Sequence, residues 1–366
     1  MRLGVEAALV RGELVRGDIA VENGRVTEVG LRPSANGRIA VPGFVDLQVN
    51  GFGGIDFLAA CREDFGRAGE ALLRTGVTAY QPTLITAPEH VLIEVLGEVP
   101  IDGHGPRVLG VHLEGPFLSH ERLGIHPAVH RRDPDLALLD RLLDAGHVSE
   151  MTVAPELPGA DALIARLLQR GVLVSAGHTN ATAAEARRAF DLGVASVSHL
   201  FNAMRPLQTR DPGIVGEALI RDSVVVTVIV DGHHLADETV RLVWACAAGR
   251  VALVTDAIAA AAMGPGTFRL GEMTVSVSDG AAPVRGDGAL AGTVLSMIEA
   301  VQNLNRLGAP LEEAIAAATS VPARLLGCAD VGTLDVGAPA DIVLLDDRLE
   351  IVAVFCSGEA HVVAHG

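Results

Sequence analysis

Residues 44–51 read Phe44-Val45-Asp46-Leu47-Gln48-Val49-Asn50-Gly51 (FVDLQVNG), an apolar run that stops at amides and a glycine. Seven later stretches repeat this theme: VTAYQPTLI (77–85), RVLGVHLEG (107–115), EMTVAP (150–155), GVLVSAGH (171–178), ASVSHLFN (195–202), VVVTVIVDG (224–232) and RVALVTDA (250–257). Runs so continuously apolar predict strands buried on both faces, as in a parallel sheet covered by helices. Amphipathic segments lie between them: EDFGRAGEALLRTG (63–76), PEHVLIEVLGEV (88–99), DLALLDRLLDAG (135–146), DALIARLLQRG (161–171), TAAEARRAFDLG (182–193) and ETVRLVWACAAG (238–249). Several end in Gly, a common helix C-cap residue. Eight strand–connection repeats predict an α/β fold whose sheet closes into a (β/α)8 TIM-like barrel.

The flanks differ. VENGRVTEVG (21–30) and GRIAVPG (37–43) carry Asn23-Gly24 and Asn36-Gly37, both hairpin signals. The tail from Gly332 onward is equally β-rich. These ends predict a small discontinuous β-sandwich domain formed by both termini, residues 1–43 and 332–366, around a barrel domain at 44–331. A further β insert, GTFRLGEMTVSVSDGAAPV (266–284), follows the eighth strand, and the segments 296–308 and 311–327 read as closing helices.

Composition narrows the function. The chain has 366 residues, 49% of them apolar, with a formal net charge of -17. That charge argues against nucleic acid as a partner. All 28 basic residues are Arg, which excludes Schiff-base lysines, a Walker lysine and a carbamylated lysine bridging two metals. Cys61, Cys246, Cys328 and Cys356 are scattered, the pattern of reduced thiols. The N-terminal stretch does not read as a signal peptide, and no apolar run reaches the ~18 residues of a membrane span. A cytoplasmic enzyme is expected.

The strand ends carry the chemistry. Glu114, His178, His199, His234 and Asp256 all fall at C-terminal strand ends, the face on which such barrels place their active sites. One carboxylate and two imidazoles from this set suffice for an open catalytic divalent-metal site. Asp256, on the eighth strand, is placed to take a proton from the water such a metal activates and to pass it to a leaving group. Taken singly, each residue has a structural alternative as a cap or a satisfied polar group; five at successive strand ends do not. His112, two residues before Glu114, reads as core, whereas His233 is expected to point away from its neighbour His234. His126 and His130 fall in the loop after the third strand, and His90, His104, His120, His147, His361 and His365 read as solvated. The loop HLFNAMRPLQTRDPG (199–213) brings two arginines to the mouth and ends in a Pro-Gly stop.

The stretches PGFVDLQVNGFGG, YQPTLIT, GVHLEGPFL, VAPE, VSAGHTNAT, SHLFNAMRP, DGHHL, LVTDA and LAGTVLSM, in this order, resemble the N-acetylglucosamine-6-phosphate deacetylase family of the amidohydrolase superfamily. The resemblance spans nearly the whole chain. It implies that Glu114, His178 and His199 ligate the metal, that Asp256 is the base and acid, and that His234 polarises the acetamide carbonyl. It further implies that Ile125 and His126 contact the sugar and that Asn202 and Ala203 meet its phosphate. Arg210 would reach the phosphate of the neighbouring subunit's site in a homodimer. Leu290, Ala291 and Gly292 would line the acetyl pocket, with Ala291 where Ser is common and Ile125 where Ala is. Family members with two metals use His-x-His where this chain has Gln48 and Asn50. One divalent ion per subunit is therefore expected, zinc first, with iron, manganese and cobalt also suited to the ligand set, and Gln48 hydrogen-bonding beside it. The small-molecule substrate so implied is N-acetylglucosamine 6-phosphate. The alternatives are its galactose epimer, another small amide as in dihydroorotase-like or D-amino-acid deacylase relatives, and a catalytically silent sugar-phosphate sensor.

Overall fold

The computed structural model describes residues 1–101, 103 and 105–362, with Val362 described by its backbone alone. His104 and His365, read above as solvated, lie outside the described residues.

Eight parallel strands run in chain order: β1 (Phe44–Val49), β2 (Val77–Ile85), β3 (Val111–Glu114), β4 (Val148–Val153), β5 (Leu173–Ala176), β6 (Ser196–Val197), β7 (Val225–Val228) and β8 (Val251–Leu253). Each pairs with the next in parallel register. Past the end of β8, Asp256 N–H donates to Gln48 C=O at 2.9 Å and Asn50 N–H to Ala257 C=O at 2.8 Å, which closes the circle. The expected barrel is present. RVLGVHLEG forms two short pieces because Gly110, at φ 90, turns the chain before β3.

The helices around the barrel include α1 (Arg62–Leu73), α2 (Glu89–Glu98), α3 (Leu136–Ala145), α4 (Ala160–Gln169), α5 (Ala183–Leu192), α6 (Gly213–Ile220), α7 (Asp237–Ala247) and α8 (Met297–Arg306). Their starts follow capping chemistry. Asp135 caps α3 through its carboxylate, and Thr182 with Glu185 and Ser296 with Glu299 form capping boxes for α5 and α8. Inward Leu and Val side chains, such as Leu139, Leu163, Leu167 and Val215, pack on the barrel at 0% exposure. Burial of this kind stabilises by about 1.5–3 kcal/mol per side chain.

Three expectations need correction. Pro212-Gly213 starts a helix instead of stopping the chain: Pro212 stands at the N-cap of α6. Residues 213–219 of GIVGEALI are all buried, so the stretch lacks the apolar/polar alternation by which a helix is recognised. Asn36-Gly37 makes no hairpin, because Ile39–Pro42 pairs with Ala7–Val10 and Ile342–Leu345 and not with the strand before it. Segment 311–327 divides into Leu311–Ala317 and Ser320–Leu325.

The Asn23-Gly24 hairpin is present, joining Asp18–Glu22 to Arg25–Leu31 with φ 51 and 72 at the turn. Both termini contribute to one six-stranded sheet in the order Glu13–Arg16, Ala7–Val10, Ile39–Pro42, Ile342–Leu345, Ile351–Cys356, Glu359–Val362. The Asn23-Gly24 hairpin packs against it through Ile19, Val21 and Val26. The insert after β8 forms a three-stranded antiparallel sheet, Gly266–Leu270, Met273–Val277 and Val284–Arg285.

Candidate metal centre at the barrel mouth

Glu114 ends β3 and is 3% exposed. One of its oxygens, Oε1, lies 3.2 Å from His178 Nε2 and 2.8 Å from His199 Nε2. These three residues form a buried group whose donor atoms lie within 4.8 Å of one another. The second oxygen, Oε2, lies 3.5 Å from His126 Nε2. His178 stands edge-on between His126 and His199, at ring-centroid distances of 4.3 and 4.9 Å.

The backbone is strained where these side chains leave it. His178, His199, Ala203 and Asp256 hold φ of 47°, 31°, 50° and 50°, in the left-handed region. Such conformations cost non-glycine residues on the order of 1–2 kcal/mol each and concentrate at functional sites. Gly292, at φ +64, sits so close that a Cβ there would lie 2.7 Å from Asp256 C=O and 2.5 Å from Ile258 Cγ2. Thr293 N–H donates to that same carbonyl at 2.9 Å, which seats the 290–293 segment beside Asp256.

The donor set fits a cation. His178 Nδ1 lies 3.0 Å from Arg122 C=O, which only accepts, so Nδ1 carries the proton. Burial, then the neighbouring His126, push the His178 imidazole down to about 4, so the ring is neutral. Its bare Nε2 therefore faces a carboxylate oxygen, lone pair to lone pair. A cation held between them resolves that repulsion. A ligating His anchored through its other ring nitrogen is also the usual arrangement at metal sites.

The two amides of the opening stretch are spoken for. Gln48 Nε2 donates to Glu114 Oε1 at 3.0 Å and to Asp256 Oδ1 at 3.2 Å. Asn50 Nδ2 donates to Asp256 Oδ1 at 2.6 Å. Amide hydrogens thus lie between the two carboxylates. Burial, then the charge of Glu114, push the Asp256 carboxyl up to about 6, within reach of base chemistry near neutrality.

Other expected residues fall as follows. His126 is 1% exposed and deeper than its loop suggested, with Nδ1 2.9 Å from Thr86 Oγ1. Ile125 beside it is half-buried. Asn202 is half-buried and donates to His199 C=O at 3.1 Å; Ala203 C=O accepts from Thr179 N–H at 3.2 Å. Ala291 is buried, while Leu290 is 39% exposed. His234 Nδ1 lies 2.7 Å from Asp231 Oδ2. Arg210 is exposed on the loop before α6, where Arg205 is instead paired with Asp211 at 3.0 Å. His112 is core, as expected, bridging Thr83 and Thr152 at 3.1 and 2.7 Å. Three contacts were not anticipated from sequence: Asn50, noted there only as standing at a His-x-His position, on Asp256; Asp231 on His234; and Thr86 on His126. Only Asp231, three residues before His234, carried a local signal.

Comparison with known proteins agrees with this geometry. The amidohydrolase family pattern matches residues 39–361. A human N-acetylglucosamine-6-phosphate deacetylase is 39% identical over 95% of this chain and 92% of its own. An N-acetylgalactosamine-6-phosphate deacetylase from Escherichia coli O157:H7 is 34% identical over 87% of this chain and 86% of its own. A variant of the Mycobacterium smegmatis N-acetyl-D-glucosamine-6-phosphate deacetylase, solved in complex with N-acetyl-D-glucosamine-6-phosphate, superposes with a TM-score of 0.93 at 36% identity, covering 98% of each chain. With the family pattern and these relatives matched over nearly its whole length, this chain belongs to the amidohydrolase family and, within it, to the N-acetylglucosamine-6-phosphate deacetylases.

Proposed function

We propose that the protein hydrolyses the acetamide of N-acetylglucosamine 6-phosphate, giving glucosamine 6-phosphate and acetate. The observation that carries this reading is the convergence of Glu114, His178 and His199 on one point, with Asp256 across from them, in a chain of this family. Glu114, His178 and His199 would hold one divalent ion, zinc first, which supplies Lewis-acid polarisation and an acidified water when bound. Asp256 takes the proton of the attacking water as the C–O bond forms. It then delivers that proton to the nitrogen as the C–N bond breaks. Asn50 and Gln48 aim the Asp256 carboxylate, and the Gln48 amide fills the space where a second ion would need ligands.

His234 donates to the acetamide carbonyl, and Leu290, Ala291 and Gly292 line the acetyl group. Ile125 and His126 contact the sugar, and Asn202 and Ala203 meet the phosphate. Arg210, exposed and without a partner among the described residues, reaches the phosphate of the neighbouring site in a homodimer. Residues 1–43 and 332–366 form one unit and 44–331 the catalytic one, a division supported by the six-stranded sheet shared between the termini. A cytoplasmic setting is supported by four free cysteines. Among the described residues no helix is long and apolar enough to cross a membrane.

The E. coli relative favours one second reading, the same deacetylation on the galactose epimer. Amine release from both epimers and from unphosphorylated N-acetylglucosamine, with elemental analysis of the same preparation, tests the whole. One ion per chain and preference for the phosphorylated gluco substrate are expected. Two tightly bound ions would contradict the role given to Gln48, and indifference to phosphate would contradict that of Arg210.

A further inference from the structure

The turn VDGHHL (230–235) after β7 contains a carboxylate–imidazole pair of which the chemistry above uses only the imidazole. Asp231 Oδ1 accepts the main-chain N–H groups of His233 and His234, both at 2.8 Å, and Oδ2 lies 2.7 Å from His234 Nδ1. Burial opposes the charge on Asp231, but the His234 contact and these hydrogen bonds outweigh it and hold the carboxyl down to about 2. An ionised carboxylate only accepts, so Nδ1 is the protonated nitrogen of His234. The Asp231 and His234 side chains are 6% and 7% exposed, whereas His233 is exposed. Among the described residues Nε2 of His234 has no hydrogen-bond partner.

This arrangement sets a chemical condition. With Nδ1 protonated, the Nε2 of a neutral ring is a bare lone pair. A carbonyl oxygen is also only an acceptor, so the two cannot pair. Nε2 can donate to an acetamide oxygen only when the ring carries both protons. Two negative groups face that cation, Asp231 at Nδ1 and Asp256 across the site.

We propose that Asp231 is a positioning residue that keeps His234 doubly protonated, so that the acetamide carbonyl is polarised by an imidazolium ion-paired to Asp231. This rests on the reading of His234 as the carbonyl's partner. It goes further in assigning both the charge of that donor and the residue responsible. The charge matters because a charge-assisted donor strengthens as negative charge builds on the oxygen in the transition state, and so acts on kcat more than on KM.

The test uses metal-replete enzyme and N-acetylglucosamine 6-phosphate. Asp231→Asn keeps an oxygen at the Oδ1 position for the main-chain N–H groups, but sets its NH2 against Nδ1 and removes the charge, which leaves a neutral ring with its proton on Nε2. We expect kcat to fall by about 10-fold with KM nearly unchanged, the difference between a charge-assisted donor and a neutral one. Because the pair acts as a unit, Asp231→Asn combined with His234→Ala should be no slower than His234→Ala alone. Nitrogen-15 spectra of His234 in Asp256→Asn enzyme bound to the substrate should show both ring nitrogens protonated, and this reading needs no Asp231 variant to fold. Asp231→Asn turning over within about twofold of wild type, additive losses in the double variant, or a bare Nε2 in the complex would each overturn the proposal. Failure of the wild-type enzyme to deacetylate this substrate would instead overturn the function on which it rests.

Discussion

The two cores of this molecule, both apolar, differ in the polar contacts they contain. Between the terminal sheet and its hairpin, Val5, Ile19, Ala40, Ile342 and Leu344 make an apolar layer; its buried carboxylate, Asp18, is satisfied by the N–H groups of Val5 and Ile19 and by Arg2. The barrel interior below the site is instead threaded by polar contacts. Val49 N–H donates to Thr83 Oγ1, which meets His112; His112 meets Thr152, Thr152 meets Ser198, and Ser198 meets Ser175, the side-chain links running from 2.7 to 3.1 Å. Thr227 Oγ1 accepts from His199 N–H at 2.7 Å, and Asp46 ties β1 to the end of β8 through Thr255 at 2.6 Å. Apolar contacts are non-directional and stabilise by area, whereas hydrogen bonds fix angles. Apolar packing therefore supplies stability in the sandwich and around the barrel alike, and the polar contacts inside the barrel add the angular control that holds strand ends in register beneath Glu114 and Asp256.

Four experiments would break or sharpen that contrast. The largest effect belongs to the mouth: Asp256→Asn should lower kcat by at least about 1,000-fold, as loss of a group acting on the reacting atoms does, with ion content unchanged by elemental analysis. Residual turnover near wild type would remove Asp256 from its role. In the sandwich, Ile342→Ala opens a cavity at a position of 0% exposure. It should cost about 2–5 kcal/mol in urea unfolding while leaving kcat at 25 °C within twofold. A matching loss of kcat would mean that the sandwich shapes the site.

The polar core has its own signature in pH. Burial pushes Glu150, inside the barrel, up to about 8 from an ordinary 4.5. Its folded-state value lies above its unfolded one, so its favourable contribution is complete below about pH 4.5 and is lost as pH rises through about 8. Between pH 5 and 7.5 the stability of Glu150→Gln relative to wild type should grow by about 1.4 kcal/mol per pH unit. Parallel pH curves for the two proteins would show that Glu150 titrates normally. The smallest effect is at the rim. Arg210→Ala should raise KM about tenfold, some 1.4 kcal/mol, for the phosphorylated substrate alone. An equal rise with unphosphorylated N-acetylglucosamine would separate Arg210 from the phosphate.

Local chemistry wrote much of this into the sequence. Eight runs of buried β-formers specified eight strands, since both faces of each are covered whichever neighbour it finds, and Asn23-Gly24 specified its hairpin because only certain residues tolerate φ > 0 at both turn positions. Parallel strands place their ends on one face, so Glu114, His178, His199 and Asp256 were legible as a set. Tertiary structure decided the rest. GIVGEALI is helical because the barrel and its neighbouring helices bury it from Gly213 to Leu219, which no periodicity announces. Asn36-Gly37 turns without pairing its flanks because the strand that follows finds partners near residues 8 and 343. Asn50 meets an aspartate 206 positions away, and the Nδ1 proton of His178 is fixed by the carbonyl of a different loop. Propensity acts over a few residues, whereas these partners are chosen only when distant strand ends meet around one closed barrel.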